Sequence, residues 1–214
     1  MRRAVYALST ALCLLLWLVI VTCLAATHMG RDGQLYARCF HAFADTARLG
    51  VPQSDYDEIA MSLSEYFSGG DVAFDIFNAR EMAHLSDIRG LFRLFDRAWL
   101  LLIPVAALAF WLIRRPDARG FWLGAGLAAL MLGALAACIA LDFENAFILM
   151  HRLLFTNDLW LLNPNTDVLI CLMPEPMFTF LAGRLALYVI PAWLVPPTAA
   201  AAAGVIRAGA RKGK

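Results

Sequence analysis

The chain has 214 residues, of which 61% are hydrophobic and only 16% charged, with a formal net charge of +1. That is too apolar for an ordinary soluble domain of this length. Nothing in this composition points to a nucleic-acid partner.

A bilayer span needs roughly 20 mostly apolar residues to cross about 30 Å of hydrocarbon. The first predicted span, 4–26, is a run of 23 residues. Met1-Arg2-Arg3 before it and Leu24-Ala25-Ala26 at its end are compatible with a secretory signal. Signal cores are about 7–15 residues long, so the longer run favours an uncleaved anchor. A first outer segment, 27–97, follows. Within it Ser54 is placed to cap a helix, because acids follow in the first turn. Ile59, Leu63, Tyr66 and Phe67 keep helical spacing, and Gly69-Gly70 stops the run. Asn78 with Glu81 three residues on has the pattern of a capping box. Met82, Leu85, Phe92, Phe95 and Trp99 then form an apolar stripe that leads into a second span, 98–113, with Gly90 as a soft point. His84 and Asp87 fall together on another face of that helix.

A short basic turn with Arg114, Arg115 and Arg119 precedes the third span, 121–141. Gly120, Gly124 and Gly126 around its start predict a close approach of another helix. In the second outer segment, 142–184, Phe147, His151 and Phe155 recur at i, i+4 and i+8, an aromatic–histidine–aromatic strip. Asn157-Asp158 weakens the helix there, and Trp160 suits a membrane–water interface. Asn163-Pro164-Asn165-Thr166-Asp167 is strong turn chemistry. The fourth span, 185–206, carries Pro191, Pro196 and Pro197, which free backbone carbonyls that neighbours must cover. The alanine run 199–203 reads as a close helix contact.

Charge placement orients the spans. The short end segments and central turn hold nine of the eighteen Lys and Arg against one acid, Asp117. The two longer segments hold the other nine bases and sixteen of the seventeen acids. By the positive-inside tendency the basic segments face the cytoplasm. The expected fold is therefore an all-α membrane protein: one membrane domain, 1–214, of four transmembrane helices, with both termini cytoplasmic. The segments 27–97 and 142–184 fold together as a small extracytoplasmic cap.

Two histidines thus stand on helices entering or leaving the bilayer on the outer side, each with an acid nearby: Asp87 after His84, and Asp158 after His151. Histidine is the usual general acid or base near neutral pH, and a carboxylate can orient its ring. A plainer reading makes both rings interface histidines satisfied by local carbonyls. A zinc site built from His84, Asp87, His151 and Asp158 has the right donor types, but there is no HExxH and no compact histidine cluster. No metal or cofactor is expected. No Gly-x-Ser-x-Gly elbow or outer Cys-His arrangement supports a hydrolase with its own nucleophile. His28 and His41 lack comparable surroundings and read as structural or solvent-facing. Cys39 and Cys171 lie on the side where a disulfide is chemically permitted, although sequence does not place them together.

"REMAHLSDIRGLF" followed, past two spans, by "HRLLFTNDLWLLNPNTDVLICLMPEPMF" resembles the bacterial lipoprotein intramolecular transacylase family, most sharply at residues 80–92 and 147–178. The resemblance implies a substrate, a diacylglyceryl lipoprotein whose N-terminal cysteine has a free amine. It implies a reaction, transfer of one acyl chain from the glyceryl ester to that amine, giving a lyso-form N-acyl lipoprotein. The family's two catalytic histidines fall on His84 and His151; Asp87 and Asp158, from their place in the sequence, are the candidate supporting carboxylates. Phe147, Phe155, Trp160 and Phe178 are the matching candidates for an aromatic lining. The expected partners are diacylglyceryl-modified lipoproteins and membrane lipid, in a bacterial cell membrane.

The chemistry suits these residue types. The substrate brings both nucleophile and electrophile, so no enzymatic serine or cysteine is needed. An α-amine has a pKa near 8, within reach of a histidine base, and the glyceryl oxygen leaves only if protonated. Rival readings are a non-enzymatic membrane accessory or chaperone protein, and a metal-dependent membrane hydrolase. Arg184 either meets substrate carbonyls or snorkels to the interface.

Overall fold

The structure, a computed structural model, describes residues 2–112 and 118–212, and no strand occurs among them. Its helices are α1 (Arg2–Gly30), α2 (Gly33–Phe43), α3 (Tyr56–Ser68), α4 (Ala79–Leu112), α5 (Ala118–Leu141), α6 (Phe143–Leu154), α7 (Val168–Leu172) and α8 (Glu175–Lys212). Ile113 at the end of the expected second span, the expected turn residues Arg114, Arg115 and Asp117, and Lys214 lie outside the described residues. So do the side chains of Trp99, Ala202 and Ala203.

Three helices are long and apolar enough to cross a membrane: Arg3–Gly30, Ala118–Leu141 and Glu175–Ala201. The stretch expected as the second span forms the C-terminal part of α4 as far as Leu112. Contacts divide the chain into two compact units. One takes the described residues within 1–23, 98–137 and 186–214; the other takes 24–97 and 138–185.

In the first unit Ala11, Leu14, Ala125, Ala128 and Trp193 are buried together. A Cβ at Gly124 would lie 2.3 Å from the Ala7 carbonyl oxygen and 2.7 Å from Thr10 Cβ, so α1 and α5 approach at a point only glycine allows. Gly126, expected to do the same, faces open space. Two residues at 100° each put it on the far side of the helix from Gly124. Ala199 and Ala201 are exposed, so this part of the alanine run makes no close helix contact. The prolines of α8 sit inside an unbroken helix. Pro196 has no N–H for the Ala192 carbonyl, and Trp17 Nε1 donates to that carbonyl at 2.9 Å instead. Trp193 Nε1 donates in turn to the Leu14 carbonyl at 3.2 Å.

The second unit has its own core, in which Phe40, Leu63, Leu85, Leu172 and Met177 are fully enclosed. Asp32 caps α2 by accepting from the Leu35 amide at 2.9 Å. The stripe expected for α3 is buried at Ile59, Leu63, Tyr66 and Phe67, and the helix stops at Gly69, whose φ of 109° is left-handed. Ser54 does not cap this helix. Gln53–Asp55 first make a 3-10 turn, and the Ser54 hydroxyl donates to the Asp55 carboxylate at 2.8 Å. Cys39 and Cys171 are separate buried thiols. Burial raises the Cys39 pKa.

Candidate active site

The site grows from the first turns of α4, within the second unit. Asn78 Oδ1 accepts from the amides of Arg80 and Glu81 at 2.9 and 3.1 Å. Glu81 Oε2 accepts from the Asn78 amide at 2.7 Å, which completes the expected capping box. The other oxygen of Glu81 does something the sequence did not signal: Oε1 accepts from the Leu169 amide, at the start of α7, at 2.6 Å. Glu81 is only 1% exposed. Burial pushes its carboxyl pKa up, against the opposing pull of the Leu169 and Asn78 amides.

Asp167, just before α7, accepts from Asn78 Nδ2 at 2.9 Å and from the Asn163 amide at 2.7 Å. Burial works to raise its pKa. The bonds from Asn163, Thr166 and Asn78 and the charge of Arg80 outweigh that and leave it below the ordinary carboxylate value. The turn over 163–167 forms as its residues predict, with the Thr166 and Asp167 amides donating to the Asn163 carbonyl.

One turn beyond Glu81 on α4 lies His84, 5% exposed, and α6 brings His151, 8% exposed. Their ring centroids are 6.1 Å apart with an interplanar angle of 38°. The predicted strip on α6 is realised around His151: Phe147 lies at 4.2 Å and Phe155 at 5.7 Å. Phe155 is the extended C-cap of α6 rather than a helical residue, and its ring also meets His84 edge-on at 5.2 Å. Trp160 stacks on the His151 ring at 4.9 Å. Phe178, from the first turn of α8, packs on Phe147 at 4.9 Å and so backs the wall without touching either histidine in a ring contact.

His151 Nδ1 lies 2.8 Å from the Phe147 carbonyl oxygen. A carbonyl only accepts, so Nδ1 carries the proton and Nε2 keeps its lone pair. Burial lowers the His151 pKa, against the opposing effect of that bond. His84 is lowered to about 4, first by burial and then by the neighbouring His151, with Asp87 acting in the other direction. Both rings are therefore neutral at pH 7. His84 Nδ1 is buried and has no hydrogen-bond partner.

The two carboxylates expected to orient the rings do not bond to them. Asp87 accepts from Asn157 Nδ2 at 2.9 Å. It acts on His84 only through its charge. Asp158 is held by its backbone, whose carbonyl accepts from the Arg80 guanidinium. The orienting group for His151 is a carbonyl of its own helix, one turn back. His41 is better furnished than expected, since α3 brings Asp57 to 2.9 Å of its Nε2, and Gln53 reaches Nδ1 at 3.2 Å. That cluster is exposed and far less enclosed than the His84–His151 pair. Among the described residues no three His, Cys, Asp or Glu side chains gather as metal ligands. The Arg184 guanidinium lies 5.9 Å from the Phe180 ring centroid. A cleft of about 650 Å³ in the same unit is lined by Thr27, His28, Arg31, Asp32 and Asp96, and neither histidine of the pair borders it.

A family model described as lipoprotein intramolecular transacylase Lit matches residues 8–178. A solved structure of membrane-integral Lit from Bacillus cereus aligns with a TM-score of 0.68 at 19% identity, covering 99% of this chain and 97% of that one. A histidine-to-alanine variant of the same bacterial protein aligns with a TM-score of 0.64 at 19% identity, covering 90% and 89%. At that identity these two likenesses speak for a shared fold. No curated protein matches. The family match spans most of the chain and decides for the enzyme over an accessory protein or a metal-dependent hydrolase. The chain belongs to the lipoprotein intramolecular transacylase Lit family, and its activity is the intramolecular acyl transfer of lipoprotein maturation.

Proposed function

We propose that His84 and His151 carry the proton transfers of this reaction. The substrate in this reading is a diacylglyceryl lipoprotein with a free α-amine on its N-terminal cysteine. One observation carries the assignment: two buried neutral imidazoles from α4 and α6 stand 6.1 Å apart inside an aromatic enclosure. Rings so placed can both reach one substrate group lying beside the pair, each at the hydrogen-bond distance that proton transfer needs.

His151 acts as the base, because its Nδ1–H is committed to the Phe147 carbonyl and its Nε2 is free to accept. As the amine nitrogen attacks the ester carbonyl carbon, Nε2 takes the amine proton. His84, neutral, offers its N–H to the developing oxyanion. Collapse of the tetrahedral intermediate breaks the bond between the acyl carbon and the glyceryl oxygen, and the proton held by His151 passes to that departing oxygen. The products are an amide and a glyceryl hydroxyl, and both rings return to their starting state. Holding amine and ester together supplies much of the acceleration, on the order of 7–11 kcal/mol in favourable cases. Phe147, Phe155 and Trp160 keep out water, the competing nucleophile. Asp87 supports His84 through its charge, and Asp158 supports the wall through its backbone bond to Arg80.

The topology belongs to the same proposal. Four spans, 4–26, 98–113, 121–141 and 185–206, place both termini in the cytoplasm and 27–97 with 142–184 on the extracytoplasmic side, as a cap. The split of basic and acidic segments supports this orientation. The clustering of 24–97 with 138–185 supports the grouping of the two outer segments.

The test is mass spectrometry of lipoprotein N-termini from a host that makes diacylglyceryl lipoproteins. The wild-type chain yields the lyso-form N-acyl product. His84→Ala and His151→Ala, at equal membrane abundance, leave the diacylglyceryl form with its free amine. Wild-type product levels from either variant would remove that histidine from the mechanism.

A further inference from the structure

We infer that Glu81 is a positioning residue of acyl transfer: its enclosed carboxylate, bonded at once to the Asn78 and Leu169 amides, sets the register between the helix that carries His84 and the stretch that lays Phe155 and Trp160 against His151. The inference rests on His84 and His151 being the reacting pair.

The stretch 155–167 is an irregular connection between α6 and α7, and such connections hold their shape only where they are tied down. Its near end is tied to its own helix, the Phe155 amide donating to the His151 carbonyl at 2.8 Å. Further along, its ties run to the N-terminal part of α4 and to the cap residue before it. Asn157 reaches Asp87, and Arg80 reaches the Asp158 carbonyl, but both bonds are exposed. Exposed ties compete with water and contribute little. The far end is held by Asn78 to Asp167 at 2.9 Å and by Glu81 to Leu169 at 2.6 Å. The Glu81 bond is the buried one.

Capping alone does not account for Glu81. A capping-box glutamate works at an exposed helix start, whereas burying an ionised carboxylate is costly unless its oxygens are satisfied. Here each oxygen takes a backbone N–H from a different segment, and Leu169 lies far along the chain from Asn78. The return for that cost is a fixed distance between α4 and the 155–167 stretch. His84 sits one turn from Glu81, and its ring meets Phe155 at 5.2 Å. A slip at Glu81 is therefore felt directly at the pair. Displacing reacting groups by about 1 Å lowers rates by as much as about 100-fold.

Glu81→Gln tests this, because glutamine keeps the shape but has one acceptor oxygen for two amides. The readouts are kcat, KM and the partition of the acyl chain between amide and free fatty acid, measured on purified full-length enzyme with a diacylglyceryl lipopeptide. Partition does not depend on how much enzyme is folded, so a merely structural loss leaves it unmoved. The expected result is a kcat drop of roughly 10- to 100-fold with KM nearly constant, and a larger fatty-acid share as the aromatic wall loosens. Glu81→Asp, too short to reach both amides, gives the same signature. Should the Glu81 variants fold poorly, Asp167→Asn, which weakens the neighbouring tie, must shift partition the same way. Wild-type kcat and partition in Glu81→Gln, or a lost rate with unchanged partition in the variants that fold, overturns the inference. His84→Ala separates the two claims. If it retains full transfer the reacting pair is wrong; if it is inactive while Glu81→Gln is normal, only the role of Glu81 is wrong.

Discussion

Acidification should expose the burial of the histidine pair. In the folded protein His84 is held at about 4, against an ordinary value of 6.5, because its ring is enclosed and faces a second imidazole. In an unfolded chain the same ring protonates near 6.5. The unfolded state therefore binds more protons than the folded one between these values, and stability falls as pH falls through that window. Above 6.5 the contribution is fully favourable to the native state. At pH 5 the unfolded ring is mostly charged and His84 mostly neutral, a difference of about 2 kcal/mol. Below about 4 both states are charged and His84 adds no further loss. His151 is lowered for the same first cause and adds to the effect in the same direction. The assay is a histidine NMR titration of isotope-labelled protein in detergent, with signals assigned by His84→Gln and His151→Gln. Activity should fall as pH is lowered below the amine pKa near 8, because only the free amine attacks, and fall further once the histidine pair takes up protons. A His84 ring titrating near 6.5 in folded enzyme would refute the enclosure argument.

Replacing either histidine of the pair by alanine should lower transfer by about 10²- to 10⁴-fold, the usual weight of a positioned acid or base, at unchanged membrane abundance by immunoblot. Trp160→Ala removes the ring stacked at 4.9 Å on His151. It should raise the free fatty acid share of the products more than it raises KM, as mass spectrometry of the acyl chain would register. Gly124→Val should destabilise the first unit, since its Cβ would meet the Ala7 carbonyl at 2.3 Å. A lower thermal midpoint in detergent, with Gly126→Val as the silent control in open space, checks that contact.

Much of the architecture was legible before any coordinates. Hydrophobic runs and helical periodicity are local properties of a chain, so the candidate membrane helices, the α3 stripe and the Gly69 stop could be read residue by residue. The capping box at Asn78 and Glu81 was equally local. The start of α3 was misplaced at Ser54 because a short 3-10 turn and the Asp55 carboxylate compete for the same groups. The glycines and alanines of the spans misled where spacing alone stood for contact. Gly124 meets α1, while Gly126 faces nothing.

The sequence by itself marked His84 and His151 as the residues to watch, because histidines with acids near a membrane edge are chemically conspicuous, and the family resemblance sharpened that choice. It also supplied the aromatic spacing around His151. Only the tertiary structure brought the two rings to 6.1 Å, turned Asp87 towards Asn157, and gave the Phe147 carbonyl the task of setting the His151 tautomer. It alone gave Glu81 a second partner in Leu169. The reason is physical. Periodicity says which face of a helix a side chain occupies, but the neighbour across the gap depends on how far one helix slides and turns against another. That register is decided by contacts between residues far apart in the chain, and no local pattern encodes it.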